Sequence, residues 1–136
     1  METLKQKAEG VEWGEPVYGV EELAAVYDQG DILVYPSVAE QGESFGLAPL
    51  EGMARGLPAV VSNLDVFREY LVERRNGWTF NHRKRGAENL AAVLATALGS
   101  DLTKMREEAR RTAENFSVQN VASMYLEAFK ETADRR

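Results

Sequence analysis

Two glutamates, Glu43 and Glu51, lie eight positions apart and carry the strongest chemical signal in the chain. They bracket the segment Glu43-Ser44-Phe45-Gly46-Leu47-Ala48-Pro49-Leu50-Glu51. Carboxylates accept hydrogen bonds from hydroxyl groups, and the free backbone N–H groups at the start of a helix attract an anion. If the segment opens a helix, it would therefore suit a ligand that joins a phosphate group to sugar hydroxyls.

The residues around the two glutamates predict a strand, a loop, a helix and a second strand. The apolar run at residues 31–36 is typical of a buried parallel strand, and a polar loop follows it. Because Pro49 is tolerated only in the first turn of a helix, the helix should begin near Gly46 or Leu47. Residues 58–61 then form a second buried strand. This order indicates a right-handed βαβ unit, in which ligands bind at the carboxyl ends of the strands.

The two carboxylates also permit a simpler interpretation. One face of the predicted helix is apolar and contains Leu47, Leu50 and Ala54. Glu51 lies at the edge of that face, half-buried, where a carboxylate is costly unless something pairs with it. Glu43 could be a solvated loop charge, and Glu51 could extend to solvent or pair with Arg55. The glutamate pair alone leaves both interpretations open.

Length and composition predict one globular domain that spans residues 1–136. The chain is 44% hydrophobic and long enough to bury a substantial core. Its formal net charge of -6 disfavours nucleic-acid binding, and no run approaches the ~20 apolar residues of a membrane span. The chain has no cysteine, no cluster with metal-ligand spacing and no signal peptide at its start. We therefore expect a cytoplasmic protein without a metal or other cofactor.

Periodicity and turn residues predict the remaining elements. Residues 11–13 and 78–80 are strand candidates, and helices are expected at residues 20–29, 65–70, 87–98, 102–115 and 118–133. In the last helix the side chains predicted to face inward are Val118, Val121, Ala122, Tyr125 and Phe129. His82 is the only histidine and lies in a polar loop, so we expect it to face solvent and to have no catalytic role.

Several motifs in order resemble those of a known enzyme family. They are Glu21-Glu22-Leu23 with Tyr27, Gly30-Asp31-Ile32-Leu33-Val34-Tyr35-Pro36-Ser37, the Glu43 to Glu51 segment, Gly56-Leu57-Pro58-Ala59-Val60-Val61-Ser62, and Asn76-Gly77. Together they resemble the C-terminal, donor-binding half of retaining GT-B glycosyltransferases, in particular glycosyltransferase family 4 (group 1). The resemblance covers nearly the whole chain. It implies a partial Rossmann-like α/β fold, in which helices flank a parallel sheet and further helices follow at the C-terminus.

The resemblance also implies a function and a set of site residues. A nucleotide-sugar would be the donor in a retaining sugar transfer, and Glu43 would face the donor sugar as the catalytic residue. Glu51 would accept hydrogen bonds from the ribose hydroxyls. The other donor-binding residues would be Ser44, Phe45, Gly46 and Leu47, with the backbone amides of the last three near the sugar hydroxyls and the distal phosphate.

Two departures from the family pattern qualify this function. Many members carry a Gly-Gly pair shortly after the Ser62 position, where this chain has Asn63-Leu64-Asp65-Val66. The family's N-terminal acceptor domain, and an Arg and a Lys that hold the diphosphate, would precede the matched region. We therefore expect a truncated half that is inactive alone and whose partner is a separate N-terminal acceptor domain. The alternatives are a non-catalytic nucleotide-sugar-binding remnant and an oligomeric interaction domain.

The missing region also predicts self-association. The family's sheet order resembles 3-2-1-4-5-6, and without its first two strands residues 32–35 would form an exposed edge strand. The last helix would expose Tyr125 and Phe129 as well. Both features predict a homodimer or a larger species. The alternative is a monomer in which residues 11–13 pair with residues 32–35.

Overall fold

The computed structural model describes residues 9–135, and a three-stranded parallel sheet lies at its centre. The strands are β1 (Leu33–Tyr35), β2 (Ala59–Ser62) and β3 (Gly77–Phe80), in the order β1-β2-β3. Val60 is the register partner of Val34 on one side and of Trp78 on the other. The predicted parallel α/β architecture is confirmed, with β1 at an edge of the sheet.

Within residues 9–135, five α-helices and one 3-10 helix surround the sheet. They are α1 (Val20–Tyr27), α2 (Leu47–Ala54), the 3-10 helix (Asp65–Glu69), α3 (Gly86–Leu98), α4 (Thr103–Asn115) and α5 (Val118–Asp134). All six were predicted, with ends that differ by a few residues. Within the described residues, no helix combines the length and the apolar character that crossing a membrane requires.

The N-terminal strand candidate is absent from this architecture. Residues 11–18 have no regular secondary structure and are exposed, so the strand predicted at residues 11–13 is wrong. A strand needs a neighbour to bond its backbone groups, and within residues 9–135 the only strand that pairs with β1 is β2. The alternative pairing of residues 11–13 with β1 is therefore not seen either.

Alternate residues of the strands face two hydrophobic cores, one on each side of the sheet. Val61 faces the first core, where Met53 of α2 and Phe67 of the 3-10 helix are fully or almost fully buried. Val60 faces the second core together with Trp78, and the apolar side of α3 covers them. Helix α4 contributes to both cores. Trp78 itself is only 3% exposed.

Two glycines allow approaches that no other residue would allow. A Cβ atom at Gly52 of α2 would lie 2.7 Å from Cδ2 of Leu33, so α2 sits directly on β1. A Cβ atom at Gly77 would lie 2.2 Å from the carbonyl oxygen of Ala59, its register partner on β2. Gly52 therefore allows α2 to pack closely on β1, and Gly77 allows β3 to pair with β2.

Helix α5 differs from the other elements because none of its residues is buried. Val121 is half-buried, but five other large apolar side chains of the helix are at least 59% exposed: Val118, Met124, Tyr125, Leu126 and Phe129. The prediction that Val118, Tyr125 and Phe129 face inward is therefore wrong, whereas the expectation that the last helix exposes Tyr125 and Phe129 is confirmed. The periodic pattern identifies an apolar face correctly, but α5 packs mainly against α4 and leaves most of that face uncovered. Self-association stays a prediction.

Candidate functional site

The loop between β1 and α2 lies at the carboxyl edge of the sheet and reaches the helix through Gly46. Gly46 has a left-handed backbone, with φ 77° and ψ 70°, and no side chain caps the start of α2. A Cβ atom at this position would lie 2.5 Å from Cε1 of Phe67. The Tyr70 hydroxyl donates to the Gly46 carbonyl oxygen at 3.0 Å. This turn is therefore fixed by its neighbours, and it leaves the amides at the start of α2 without a side-chain partner.

Glu43 lies in this loop and is held by the last residue of β1. The Tyr35 hydroxyl donates to Oε2 of Glu43 at 2.9 Å, in a half-buried position. That hydrogen bond is the main cause that raises the pKa of Tyr35, and burial adds to it. Among residues 9–135 the second carboxylate oxygen of Glu43 has no hydrogen-bond partner. The carboxylate is thus positioned through one oxygen and free to accept through the other.

Aromatic rings pack against the loop. Phe45 lies 5.5 Å from Tyr70 and 5.5 Å from Phe116, measured between ring centroids. Tyr35 and Phe67 meet edge to face at 6.0 Å. Burial raises the pKa of the Tyr70 hydroxyl, and the charge of Glu43 raises it further. The hydroxyl therefore remains a donor to Gly46 at neutral pH, and the rings limit how far the loop can move.

Glu51 lies on the outer side of α2 and is exposed. Helix α2 instead buries Pro49, Leu50, Gly52 and Met53. The Tyr27 hydroxyl of α1 donates to Oε2 of Glu51 at 3.1 Å, and burial is the main cause that raises the pKa of Tyr27. Arg55 donates from Nε to Oδ1 of Asp28 at 2.7 Å. Both the half-buried position of Glu51 and its alternative pairing with Arg55 are therefore wrong.

Open depressions lie on both sides of Glu51. The larger has a volume of about 720 Å3 and lies between α2 and the α4–α5 junction. Its lining includes Phe45, Leu47, Glu51, Arg110, Phe116 and Val118. The smaller, about 300 Å3, lies between α1 and α2 and includes Tyr27 and Arg55. Glu51 is thus accessible from either side, whereas Glu43 lines neither depression. Glu43 and Gly46 thus lie in the loop before α2, whereas Glu51 lies on the outer side of the helix and contacts a different tyrosine.

A polar cluster beside the loop was not predicted. The His82 side chain is only 5% exposed, so the prediction that it faces solvent is wrong. Its Nδ1 lies 2.9 Å from Oδ1 of Asn63, and its Nε2 lies 2.7 Å from Oε1 of Glu40. The hydrogen bond to His82 is the main cause that lowers the pKa of Glu40, and the bond from Arg83 adds to it. The position of His82 just after β3, at the carboxyl edge of the sheet, was the signal that could have identified it.

Among residues 9–135, no group of three or more His, Cys, Asp or Glu side chains could hold a metal ion. The groups that can act on a ligand here are two carboxylates, backbone amides and aromatic rings. Such a set can accept hydrogen bonds from hydroxyls, donate to an anion and cover an apolar surface.

Comparison with known proteins identifies the family. The family model described as Glycosyl transferases group 1 matches residues 3–116 of the chain. The chain belongs to this family. The D-inositol 3-phosphate glycosyltransferase of Rhodococcus erythropolis is 33% identical over 122 residues, which cover 87% of this chain and 26% of that protein. The O-antigen chain mannosyltransferase RfbU of Salmonella typhimurium is 44% identical over 50 residues, which cover 37% of this chain and 13% of that protein. This group 1 chain spans about a quarter of the length of the first of these relatives.

A solved structure shares the fold. The pneumococcal O-GlcNAc transferase GtfA, crystallised in complex with UDP and GlcNAc, superimposes with a TM-score of 0.64 at 19% sequence identity. The match covers 80% of this chain and 22% of GtfA. At this identity the likeness shows the fold alone, and it confirms the predicted GT-B-type α/β architecture of this group 1 chain.

Proposed function

We propose that the chain is the nucleotide-sugar-binding part of a retaining glycosyltransferase, with its donor site at the loop before α2 and the first turn of that helix. One observation carries the proposal. The left-handed turn at Gly46 leaves uncapped amides between two carboxylates, Glu43 and Glu51, each of which is held by a tyrosine hydroxyl. In a member of the group 1 glycosyltransferase family, this combination matches the chemistry of a sugar joined to a nucleoside diphosphate.

The first turn of α2 would receive the distal phosphate. The helix begins at Leu47, and its dipole and free N–H groups favour an anion. Pro49 is buried and has no N–H, so the donors must come from the residues that precede it. These are the amides of Phe45, Gly46 and Leu47, with Ser44 at the approach to the turn. The same donors would stabilise the charge that develops on the phosphate as it leaves.

Glu43 would act on the sugar. Tyr35 occupies one of its oxygens, and the other can face a sugar bound beside the phosphate. When a glycosyl bond breaks, the sugar ring develops positive charge, which a nearby carboxylate stabilises. This role makes Glu43 the catalytic residue of the proposed site.

Glu51 would bind the ribose. Tyr27 occupies one oxygen, and the exposed position of Glu51 leaves the other open to two hydroxyl donors. The depressions on its two sides give a nucleoside room to approach. Because the relatives are about four times longer than this chain, sugar transfer would need an acceptor domain that these 136 residues do not supply. We expect the chain alone to bind the donor but not to transfer it.

Calorimetric titration tests this proposal with UDP-sugars and GDP-sugars, and with plain UDP and GDP. Glu51→Ala should weaken binding of both kinds of ligand by roughly 1–3 kcal/mol, the scale of hydrogen bonds to a charged group. Glu43→Ala should weaken only the nucleotide-sugars. Glu114→Ala is a matched control, because Glu114 lines the larger depression but belongs to neither carboxylate pair. Equal effects of Glu43→Ala on both ligand kinds, or binding of no ligand by the unaltered chain, would contradict the proposal.

A second candidate function is an oligomeric interaction domain. It rests on the uncovered apolar face of α5 and on β1, whose outer edge has no neighbouring strand within residues 9–135. Exposed strand edges and apolar helix faces both support association between chains. The two functions are compatible, since the donor site lies on α2 and the loop before it.

A further inference from the structure

Three connections that leave the carboxyl ends of the strands meet at His82. The loop after β1 contributes Glu40, the turn after β2 contributes Asn63, and His82 itself follows β3. The imidazole ring joins the first two through its two nitrogens, at 2.9 Å to Asn63 and 2.7 Å to Glu40. Arg83 donates to the second oxygen of Glu40 at 2.8 Å. All three strand ends are therefore tied together by one buried ring.

The contacts of His82 lie close in sequence to Glu43 and can hold the loop that carries it. Glu40 precedes Glu43 by three residues, and residues 38–42 are exposed. Inside the loop the amides of Gly42 and Glu43 both lie 3.4 Å from the carbonyl oxygen of Ala39, and the Glu40 amide lies 3.0 Å from that of Val38. Short hydrogen bonds hold the loop at Glu40, with His82 at 2.7 Å and Arg83 at 2.8 Å, and at Glu43, with Tyr35 at 2.9 Å. Loss of the His82 side chain would leave Glu40 with Arg83, whose side chain is half exposed, in place of a buried ring.

Asn63 supplies one of the two partners of the ring. Its side-chain oxygen lies 2.9 Å from Nδ1 of His82, and Nη1 of Arg83 lies 3.4 Å from the same oxygen. The turn after β2 is therefore joined to the segment after β3 by side chains as well as by the sheet.

We propose that His82 is a positioning residue, which holds the loop of residues 37–46 in place through Glu40 and Asn63 and so fixes Glu43 against the edge of the sheet. The effect on a ligand rests on the proposed function, because only a bound sugar would register where Glu43 points. The effect on the loop does not rest on it.

Amide hydrogen exchange of the free chain tests the tie directly. His82→Ala should accelerate exchange in residues 38–46 by about tenfold, the loss of one charge-assisted hydrogen bond, and leave α4 unchanged. His82→Gln, which keeps one amide donor, should restore part of the protection. Glu88→Ala removes an exposed ion pair with Arg85, at the start of α3 a few residues after His82, and should have no effect. If His82→Ala disturbs α4 as well, Glu40→Gln gives the same comparison without removing the ring. Unchanged exchange in residues 38–46 would overturn the proposal.

Titration of the same variants tests the consequence for Glu43. His82→Ala should lower the affinity for a nucleotide-sugar by about tenfold and change that for UDP or GDP less than about threefold. Partial recovery in His82→Gln would support positioning, because a purely structural defect would weaken both ligands alike. Equal weakening of both ligands would overturn the positioning role. If the unaltered chain binds no ligand, the proposed function fails, and the exchange experiment still decides whether His82 holds the loop.

Discussion

Helix α2 has eight residues and α5 has seventeen, yet the shorter helix is the one anchored in the core. Half of α2 is buried, whereas no residue of α5 is buried. Both helices have apolar faces that the sequence reveals by periodicity. The difference shows that an apolar helix face in the sequence does not establish that residues 9–135 cover that face.

The anchoring of α2 has a specific physical origin. Gly52 lets the helix approach β1, and the turn at Gly46 is enclosed by Phe67 and Tyr70. At α5, by contrast, the Ser117 hydroxyl accepts from the Asn120 amide at 3.3 Å and caps the helix without burying it. The candidate site lies on the anchored helix, as expected for groups that must be held in a fixed geometry.

The largest difference in stability should appear when one methionine in each helix is truncated. Met53→Ala removes a side chain that is 0% exposed and should lower the free energy of unfolding by about 2–5 kcal/mol. Met124 of α5 is 66% exposed, and Met124→Ala should change it by less than about 0.5 kcal/mol. Urea unfolding at low protein concentration, followed by tryptophan fluorescence, measures both. Similar losses for the two variants would show that α5 is packed as firmly as α2.

Replacing one small residue by alanine in each helix should change the free energy of unfolding differently. Gly52→Ala introduces a Cβ against Leu33 and should cost about 1–3 kcal/mol of overpacking, more than the ~0.5–1 kcal/mol gained in helix propensity. Ser123→Ala in α5 should be neutral or stabilise slightly, because alanine is the better helix former and the exposed Ser123 hydroxyl bonds only to the Gln119 carbonyl oxygen of its own helix. The urea midpoint of each variant measures the sign. A stabilising Gly52→Ala would mean that α2 can move away from β1 without loss.

Tyrosines allow the same comparison at alkaline pH. Tyr70→Phe should cost about 0.5–1.5 kcal/mol at neutral pH, because the hydrogen bond to Gly46 is lost, whereas Tyr125→Phe in α5 should be neutral. Burial raises the pKa of Tyr70 above that of the unfolded chain, so its contribution to stability is complete below about pH 10 and is lost as the pH rises towards the folded pKa.

Unfolding midpoints measured across pH 9–11 test the sign of this effect, with the range set by the ordinary tyrosine pKa of about 10. The parent should lose stability more steeply than Tyr70→Phe as the pH rises through this range. Identical slopes would show that Tyr70 ionises as easily in the folded chain as in the unfolded one.

The weakest expected effect is on association. We expect a homodimer or larger species at high micromolar concentration, held by the apolar face of α5 or by the edge of β1. Phe129→Ser and Val34→Lys, which alter the two surfaces separately, should lower the average mass and leave the fold intact. Light scattering across a concentration series measures the mass. A parent chain that remains strictly monomeric throughout the series would disprove the association.

Local signals were sufficient to predict most of the fold. Pro49 and the glycine before Leu47 placed the start of α2 correctly, because both act on the backbone at their own positions. The strand predicted at residues 11–13 failed because a strand depends on a neighbour, which a local pattern does not supply. The helices were predicted correctly because a helix forms its backbone hydrogen bonds within its own segment, so the local pattern is sufficient.

The side-chain partners at the site could not be predicted in this way. Tyr35 and Tyr27 reach Glu43 and Glu51 across 8 and 24 positions of sequence. His82 meets Glu40 across 42 positions. Each contact depends on which loops the sheet brings to one edge. The position of the glutamate pair followed from the sequence, but the groups that hold the two carboxylates followed only from the fold.

Gly77 bears on how the chain avoids folding errors. Its absent side chain leaves room for the carbonyl oxygen of Ala59, and every other residue of β3 has a Cβ atom that would enter this space. A slip of β3 by one position along β2 would place Asn76 or Trp78 there, and it would also exchange the β3 side chains that face the two cores. Steric overlap at the Ala59 carbonyl oxygen and the reversed side-chain orientation therefore both disfavour the one-residue slip. The three-stranded sheet selects its alignment at one position that has no side chain.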